Sequence, residues 1–382
     1  MREEGQPLPC QRGGEIAERV AHLVADRPVR QQAEHHVGPP GTQRAGGRGR
    51  RVAEPGGGFE HPVAGGRGDA LAGRGVQDVA DGGAGDPGPA GDIGAGDPAG
   101  LRHGVTLLLT RVSIGTMTLD LAAKVALLTG ASMFTLAPQE KIGLHEIRLS
   151  DGPTGVRGLK FSGGPVVALF PNATLLAAAW DTGAAYEVGR ILAEEALAQR
   201  IHVVLGPTIN LHRSPLGGRL FEAYSEDPLL TGKLAAAYVR GMQDQGVAAC
   251  LKHLVANESE TDRNTMNSVV DEATLREVYL LPFEIAVEES DAWTMMAAYN
   301  DVNGVAATEQ HHVNNEIVKG EWGYRGLIMS DWFAATTTAE SANGGLDLVM
   351  PGPGGPWGDA LVKAVERGEV DESVTVSIHI CV

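Results

Sequence analysis

The sequence predicts an α/β protein: a (β/α)8 TIM-like barrel preceded by a low-complexity segment expected to be disordered. Three observations predict it. After residue 113, short apolar runs alternate with longer helical patterns, which implies parallel strands joined by right-handed crossovers. The patterned region spans about 260 residues, close to the size of a closed eightfold barrel. Polar side chains follow directly on the apolar runs, where a barrel keeps its chemistry. A doubly wound open sheet is the alternative; against it, no Gly-rich dinucleotide fingerprint follows the first strand.

Residues 1–112 contain no Lys, Asn, Ser, Tyr or Trp, and Phe59 is their one aromatic residue. Such a composition cannot bury enough apolar surface to offset chain entropy. Two readings stand, a genuine disordered arm and a misplaced start with Met117 as the true one. All five missing residue types are present again by Tyr186, which favours the second.

Composition changes after Ser113, so the barrel is expected over 113–356. Thr116–Leu128 reads as an amphipathic helix with Thr118 as N-cap and Gly130 as stop. Strands are expected at His145–Leu149, Val203–Leu205, Ala248–Leu251, Thr294–Ala298, Leu327–Met329 and Leu346–Met350, each a short apolar run. Helices are expected at Thr182–Gln199, Pro228–Gln243, Glu272–Glu288 and Trp357–Arg367.

The 382 residues carry a formal net charge of −17. That acidic balance argues against nucleic acid, since phosphate binding wants a basic face. Cys10, Cys250 and Cys381 are odd in number and far apart, giving no disulfide framework and no zinc spacing. No run of about 18 apolar residues marks a membrane span, and the N-terminus lacks the apolar core of a secretory signal. A cytoplasmic protein without a membrane partner is the default, and nothing signals an oligomeric state.

Five runs lead into chemistry. His145–Leu149 is followed by Ser150-Asp151-Gly152-Pro153, and Val203–Leu205 by Gly206-Pro207 and then Asn210, His212 and Arg213. Ala248–Leu251 leads to Lys252-His253, Thr294–Ala298 to Tyr299-Asn300, and Leu327–Met329 to Ser330-Asp331-Trp332. Parallel barrel strands end on one face, so these groups should converge on one pocket. Any single member has a structural reading, such as Asp331 capping the next helix. The set does not, because a structural protein has no need of such groups at successive strand ends.

Asp151 and Asp331 offer carboxylates, Lys252, Arg219 and Arg263 positive charge, His253 and Tyr299 neutral donors, and Trp332 a flat apolar face. Sugar hydroxyls are recognised by such networks, with charge-assisted bonds and a stacked ring. The nearby cations are expected to hold Asp331 ionised, as a nucleophile requires. No His-Glu helix motif, His-Cys cluster or Gly-Lys-Ser/Thr loop is present, and His311-His312 reads as a solvated helix start. The inventory calls for no metal and no cofactor, and fits glycoside hydrolysis better than phosphoryl or hydride transfer.

These residues resemble glycoside hydrolase family 3, the β-glucosidase family whose first domain is an α/β barrel. Leu149 to Pro153 looks like the family's early sugar-binding Asp motif, and Phe170-Pro171 with Ala179-Trp180-Asp181 like its next landmark. The most distinctive block is Gly206-Pro207 through Asn210, Arg213 to Glu222, and Ser225 to Pro228. Lys252 to Asn257 is similar to the Lys-His segment, Glu260 to Arg263 carries the second sugar-binding Arg, and Met296 to Asn303 resembles the Tyr-bearing strand. Met329 to Trp332 looks like the nucleophile motif.

The resemblance implies hydrolysis of terminal non-reducing β-D-glucosyl residues with retention, Asp331 being the nucleophile. Asp151, Arg219, Lys252, His253, Arg263 and Tyr299 would line the sugar subsite, and Trp332 would pack on the ring. A β-glucoside or oligosaccharide is the implied partner; a β-xylosidase, an α-arabinosidase or a catalytically inactive sugar-binding remnant is the alternative. Glu222 and Asp227 read as structural partners of Arg219 and of the following helix, and Met296 as pocket wall.

Retention needs a second carboxyl group about 5–5.5 Å from the first. In the β-glucosidase branch the resemblance implies an acid/base Glu from a second domain. Residues 357–382 read as a truncated linker or start of that domain, because Ser373 to Val382 departs from the family's continuation. The single-barrel branch has a Phe-Pro-Gly-His-Gly-like loop where this chain has Leu254 to Glu258, and is rejected. The expectation is a sugar pocket with a nucleophile but no proton donor of its own.

Overall fold

The computed structural model describes residues 119–160 and 164–375. The expectations about residues 1–112, about Thr118 as a cap and about residues 376–382 lie outside them. In chain order the strands are β1 (Thr135–Leu136), β2 (Ile147–Asp151), β3 (Val203–Leu205), β4 (Ala248–Leu254), β5 (Asn267–Ser268), β6 (Thr294–Ala297), β7 (Asp301–Val302), β8 (Val305–Ala306) and β9 (Leu327–Ser330).

Strands β2, β3, β4, β6 and β9 pair in parallel in that order, and β1 adds an antiparallel edge to β2. Every residue of β3, β4, β6 and β9 is buried, as expected of strands covered on both faces. A separate small sheet, β5-β7-β8, sits in the loops after β4 and β6.

The arc closes through single bridges rather than ladders. Leu348 bridges Met329 of β9, and Val349 bridges Thr129, whose turn runs into β1. Leu346–Met350, expected as a strand, therefore takes a strand's place without forming one. The reason is local. The Asp347 carboxylate accepts the Ile328 N–H (2.8 Å), and the Met350 N–H donates to Ser330 Oγ (2.9 Å), so side chains take up bonds a ladder would use. The result is a TIM-like barrel whose regular parallel arc holds five strands.

The helices follow the expected pattern with corrections at their ends. Thr182–Ala198 and Pro228–Gln243 are capped by Asp181 and Asp227, which accept N–H bonds from the first turns. They cross closely: a Cβ on Gly189 would lie 2.1 Å from Tyr238 O, and one on Gly241 2.0 Å from Tyr186 O. The first helix is shorter than expected, Leu121–Leu127, because Asp120 accepts the Ala123 N–H and caps it there. The run expected at Glu272–Glu288 is helical from Glu272 to Ser290, with a π segment at Leu275–Leu280. The last expected helix is confined to Asp359–Glu366.

Candidate active site

The strand ends meet at a cavity of about 310 Å³. Its wall contains all eight side chains singled out from the sequence: Asp151, Arg219, Lys252, His253, Arg263, Tyr299, Asp331 and Trp332. Met296, expected as wall, is there too, together with Phe134, Leu205 and Phe333.

Asp151 ends β2 and is paired with Lys252 Nζ at 3.2 Å and Arg157 at 3.4 Å. Burial alone would raise its pKa, but the Lys252 charge and hydrogen bond, with help from Arg157, bring it below the ordinary value. Asp151 is therefore held as an anion.

Lys252 and His253 are neighbours in β4, so strict alternation would send one of them away from the pocket. The register of β4 on β6 shifts between Lys252 and Leu254, and both side chains face the cavity. Asn210 then determines the imidazole. Its Nδ2 donates to His253 O (3.0 Å) and its Oδ1 accepts the His253 backbone N–H (2.9 Å), which orients the amide. The same Oδ1 lies 3.0 Å from His253 Nδ1, so Nδ1 must carry the ring proton. Nε2 is left as acceptor for Arg219 at 3.1 Å. Burial, then Arg219, Lys252 and Arg263, push the imidazole pKa far down, so it is neutral. His253 is thus neutral, as expected, and its one ring N–H is directed at Asn210.

Arg219 is held by the buried Glu222, as expected, and Thr208 Oγ1 steadies that carboxylate at 3.1 Å. Arg263 pairs with Glu260 at 2.5 Å and its guanidinium lies 4.3 Å from the centre of the Tyr299 ring. Burial first, and then the Asp331 charge, raise the Tyr299 pKa, so its hydroxyl keeps its proton. Trp332 is packed rather than free: Nε1 donates to Met133 O at 2.9 Å, and its ring meets Phe134 at 5.4 Å.

Asp331 follows β9, with its backbone N–H on Ala297 O at 3.0 Å. Oδ1 accepts the Trp332 N–H at 2.7 Å. Oδ2 is buried and without a donor. The imidazole nitrogen 3.5 Å away presents a lone pair, and the Tyr299 hydroxyl is close enough to the carboxyl to lower its pKa. Lys252 and Arg219 favour the ionised form, as expected, but they do not set the direction of its shift. Burial is the larger effect and raises its pKa, against Lys252, the Trp332 N–H and Arg219.

Sequence reasoning gave no role to Phe134, Phe333 or Leu205, and did not see Asn210 and Glu260 as the groups that orient His253 and the two arginines. Glu260 had a signal, its three-residue spacing from Arg263; Phe134 precedes the two-residue β1, which no apolar run announced, and had none. His311-His312 opens the π-helical run His312–Glu321 at the surface, where His312 bonds Glu316 at 2.6 Å and Glu272 at 3.0 Å.

Residues 113–375 match the glycosyl hydrolase family 3 N terminal domain. The chain is 46% identical over 256 residues to a probable beta-glucosidase I of Aspergillus clavatus, covering 67% of this chain and 30% of that protein. It is 47% identical over 253 residues to a beta-glucosidase of Rhizobium radiobacter, covering 66% and 31%. The solved beta-glucosidase of Kluyveromyces marxianus in complex with glucose superposes with a TM-score of 0.67 at 39% identity, over 71% of this chain and 32% of that one. Beta-glucosidase 3B of Thermotoga neapolitana, also with glucose, gives 0.65 at 34% identity, over 71% and 41%. The chain thus spans less than half the length of each of these relatives.

Proposed function

The chain belongs to glycosyl hydrolase family 3, and on that premise we propose that its cavity holds the terminal non-reducing β-D-glucosyl residue of a β-glucoside and that Asp331 attacks its anomeric carbon. The observation that carries this reading is Asp331 Oδ2: a carboxylate oxygen buried in the cavity wall with no donor on it. A structural carboxylate would have its lone pairs satisfied. A nucleophile needs one left over.

In the first step Oδ2 bonds to the anomeric carbon, the glycosidic bond breaks and its electron pair leaves with the aglycone. Water then displaces the Asp331 ester and returns the carboxylate, with overall retention. Lys252, Arg219 and Arg263 donate to sugar hydroxyls, and Asp151 accepts from them. The aglycone must gain a proton. Asp151, the other carboxyl group lining the cavity, is held ionised and cannot supply it. The donor on this reading comes from outside the described wall.

The test is covalent trapping. A fluorinated glucoside with a dinitrophenyl leaving group should add one glycosyl unit to the protein, and peptide mass spectrometry should place it on Asp331. Asp331→Asn should take no label and lose turnover by about 10⁴-fold or more, the scale seen when a group essential to the transition state is removed. Label on any other residue would remove Asp331 from this role. Glucose binding without labelling would make the chain a sugar-binding module instead.

A further inference from the structure

His253 Nε2 faces two neighbours of opposite kind. Arg219 Nη1, which can only donate, lies 3.1 Å away, and Asp331 Oδ2, which as a carboxylate can only accept, lies 3.5 Å away. Arg219 favours a lone pair on that nitrogen, and Asp331 favours a proton there. The cavity side of the ring therefore leaves the tautomer contested.

The far side of the ring decides it. Asn210 is buried, 5% exposed, and is not part of the wall of the sugar cavity. Its Nδ2 donates to His253 O and its Oδ1 accepts the His253 backbone N–H. Turning the amide over would set donor against donor and acceptor against acceptor, so backbone groups fix which atom is which. Oδ1 is thus locked 3.0 Å from Nδ1, where it can only accept the ring proton.

The consequence falls on the carboxylate across the ring. With the proton on Nδ1, the Nε2 lone pair goes to Arg219 and no imidazole N–H is aimed at Asp331 Oδ2, the buried oxygen without a donor. With the proton on Nε2, that N–H would bond Oδ2 and confront the Arg219 donor. Hydrogen bonds to a charged acceptor are the strong ones. Such a bond would have to be given up as Oδ2 attacks carbon.

We propose that Asn210 is a positioning residue for the reaction: it holds the His253 proton on Nδ1 and thereby keeps the attacking oxygen of Asp331 free of a hydrogen bond. The inference rests on Asp331 being the nucleophile. Asn210 acts only through His253, because it does not reach the cavity itself.

The test uses the full chain. NMR of protein made with heavy-nitrogen histidine, compared with His253→Ala to identify the His253 signals, reads where the proton sits. The native ring should be neutral and protonated on Nδ1; a proton on Nε2, or a charged ring, would overturn the proposal without any further variant. Trapping by the fluorinated dinitrophenyl glucoside then gives a rate constant separately from an affinity. Asn210→Leu and Asn210→Ala remove the amide with and without filling its volume. Each should lower the trapping rate constant by about ten- to a hundredfold, the scale for partners that orient a functional histidine. Affinity should stay within about threefold, and the proton should appear on Nε2. In a His253→Ala background either substitution should change the rate by less than about twofold. Near-native rates in both Asn210 variants, or equal losses with and without His253, would overturn the proposal. A native chain that is not trapped at Asp331 would overturn the nucleophile reading and this inference with it. A chain that is trapped normally with its proton on Nε2 would overturn the inference alone.

Discussion

Glu258 accepts the Leu211 N–H at 3.2 Å and lies beside the Asn210 that orients His253. Burial raises its pKa to about 7, against that hydrogen bond and the Arg213 charge. The folded protein therefore keeps a proton that the unfolded chain loses above its ordinary value of 4.5. Between the two values the folded state binds more protons, so this group's contribution falls as pH rises. His253 acts in the opposite sense: unfolded, it takes a proton below 6.5 that the folded imidazole refuses, so its contribution falls as pH drops. A Glu258→Gln comparison isolates the first effect. Relative to the native chain, the variant should gain up to about 3 kcal/mol between roughly pH 4.5 and 8, read from urea unfolding. Parallel pH profiles would mean that Glu258 titrates as an exposed carboxyl.

At the scale of the element, caps and register decide what each segment delivers. Asp227 accepts the Leu229 and Leu230 N–H groups at 2.8 and 3.2 Å, which makes it the partner of its helix rather than of the sugar. Asp227→Ala should cost about 1 kcal/mol of stability and leave sugar affinity untouched. A change in glucose Kd would give Asp227 a place in the site after all. Strand β4 contributes differently: its shifted register puts Lys252 and His253 on one side. Lys252 pairs with Asp151 of β2 across the cavity, so adjacent residues serve two different partners.

For the molecule as a whole, the weak arc of the barrel depends on one buried carboxylate. Asp347 accepts the Ile328 N–H and pairs with Lys319 at 2.7 Å, fastening Leu346–Met350 to β9 and to the helix before it. Removing it would leave the buried Ile328 N–H without its acceptor and the half-buried Lys319 ammonium with the Gly345 carbonyl but no counter-charge. Asp347→Ala should cost about 3 kcal/mol or more, and Asp347→Asn less, since the amide oxygen can still accept from Ile328. Chemical unfolding midpoints would check the order; equal losses would mean that the Lys319 pair, not the Ile328 bond, closes the barrel.

By itself the sequence determined which residue types stand at strand ends, because alternating apolar runs and helical patterns mark where parallel strands stop. Asp151, Lys252, His253, Tyr299 and Asp331 could be picked out on that ground alone, and Arg219 and Arg263 with the family motifs. Local caps were legible where Asp precedes a helix, and missed at Asp120, two residues beyond the expected Thr118. Only the tertiary structure decided the proton on His253 and the upward shift of Asp331. Each of these depends on distance and burial between segments far apart in the chain, and residue order encodes neither until the barrel has closed around them.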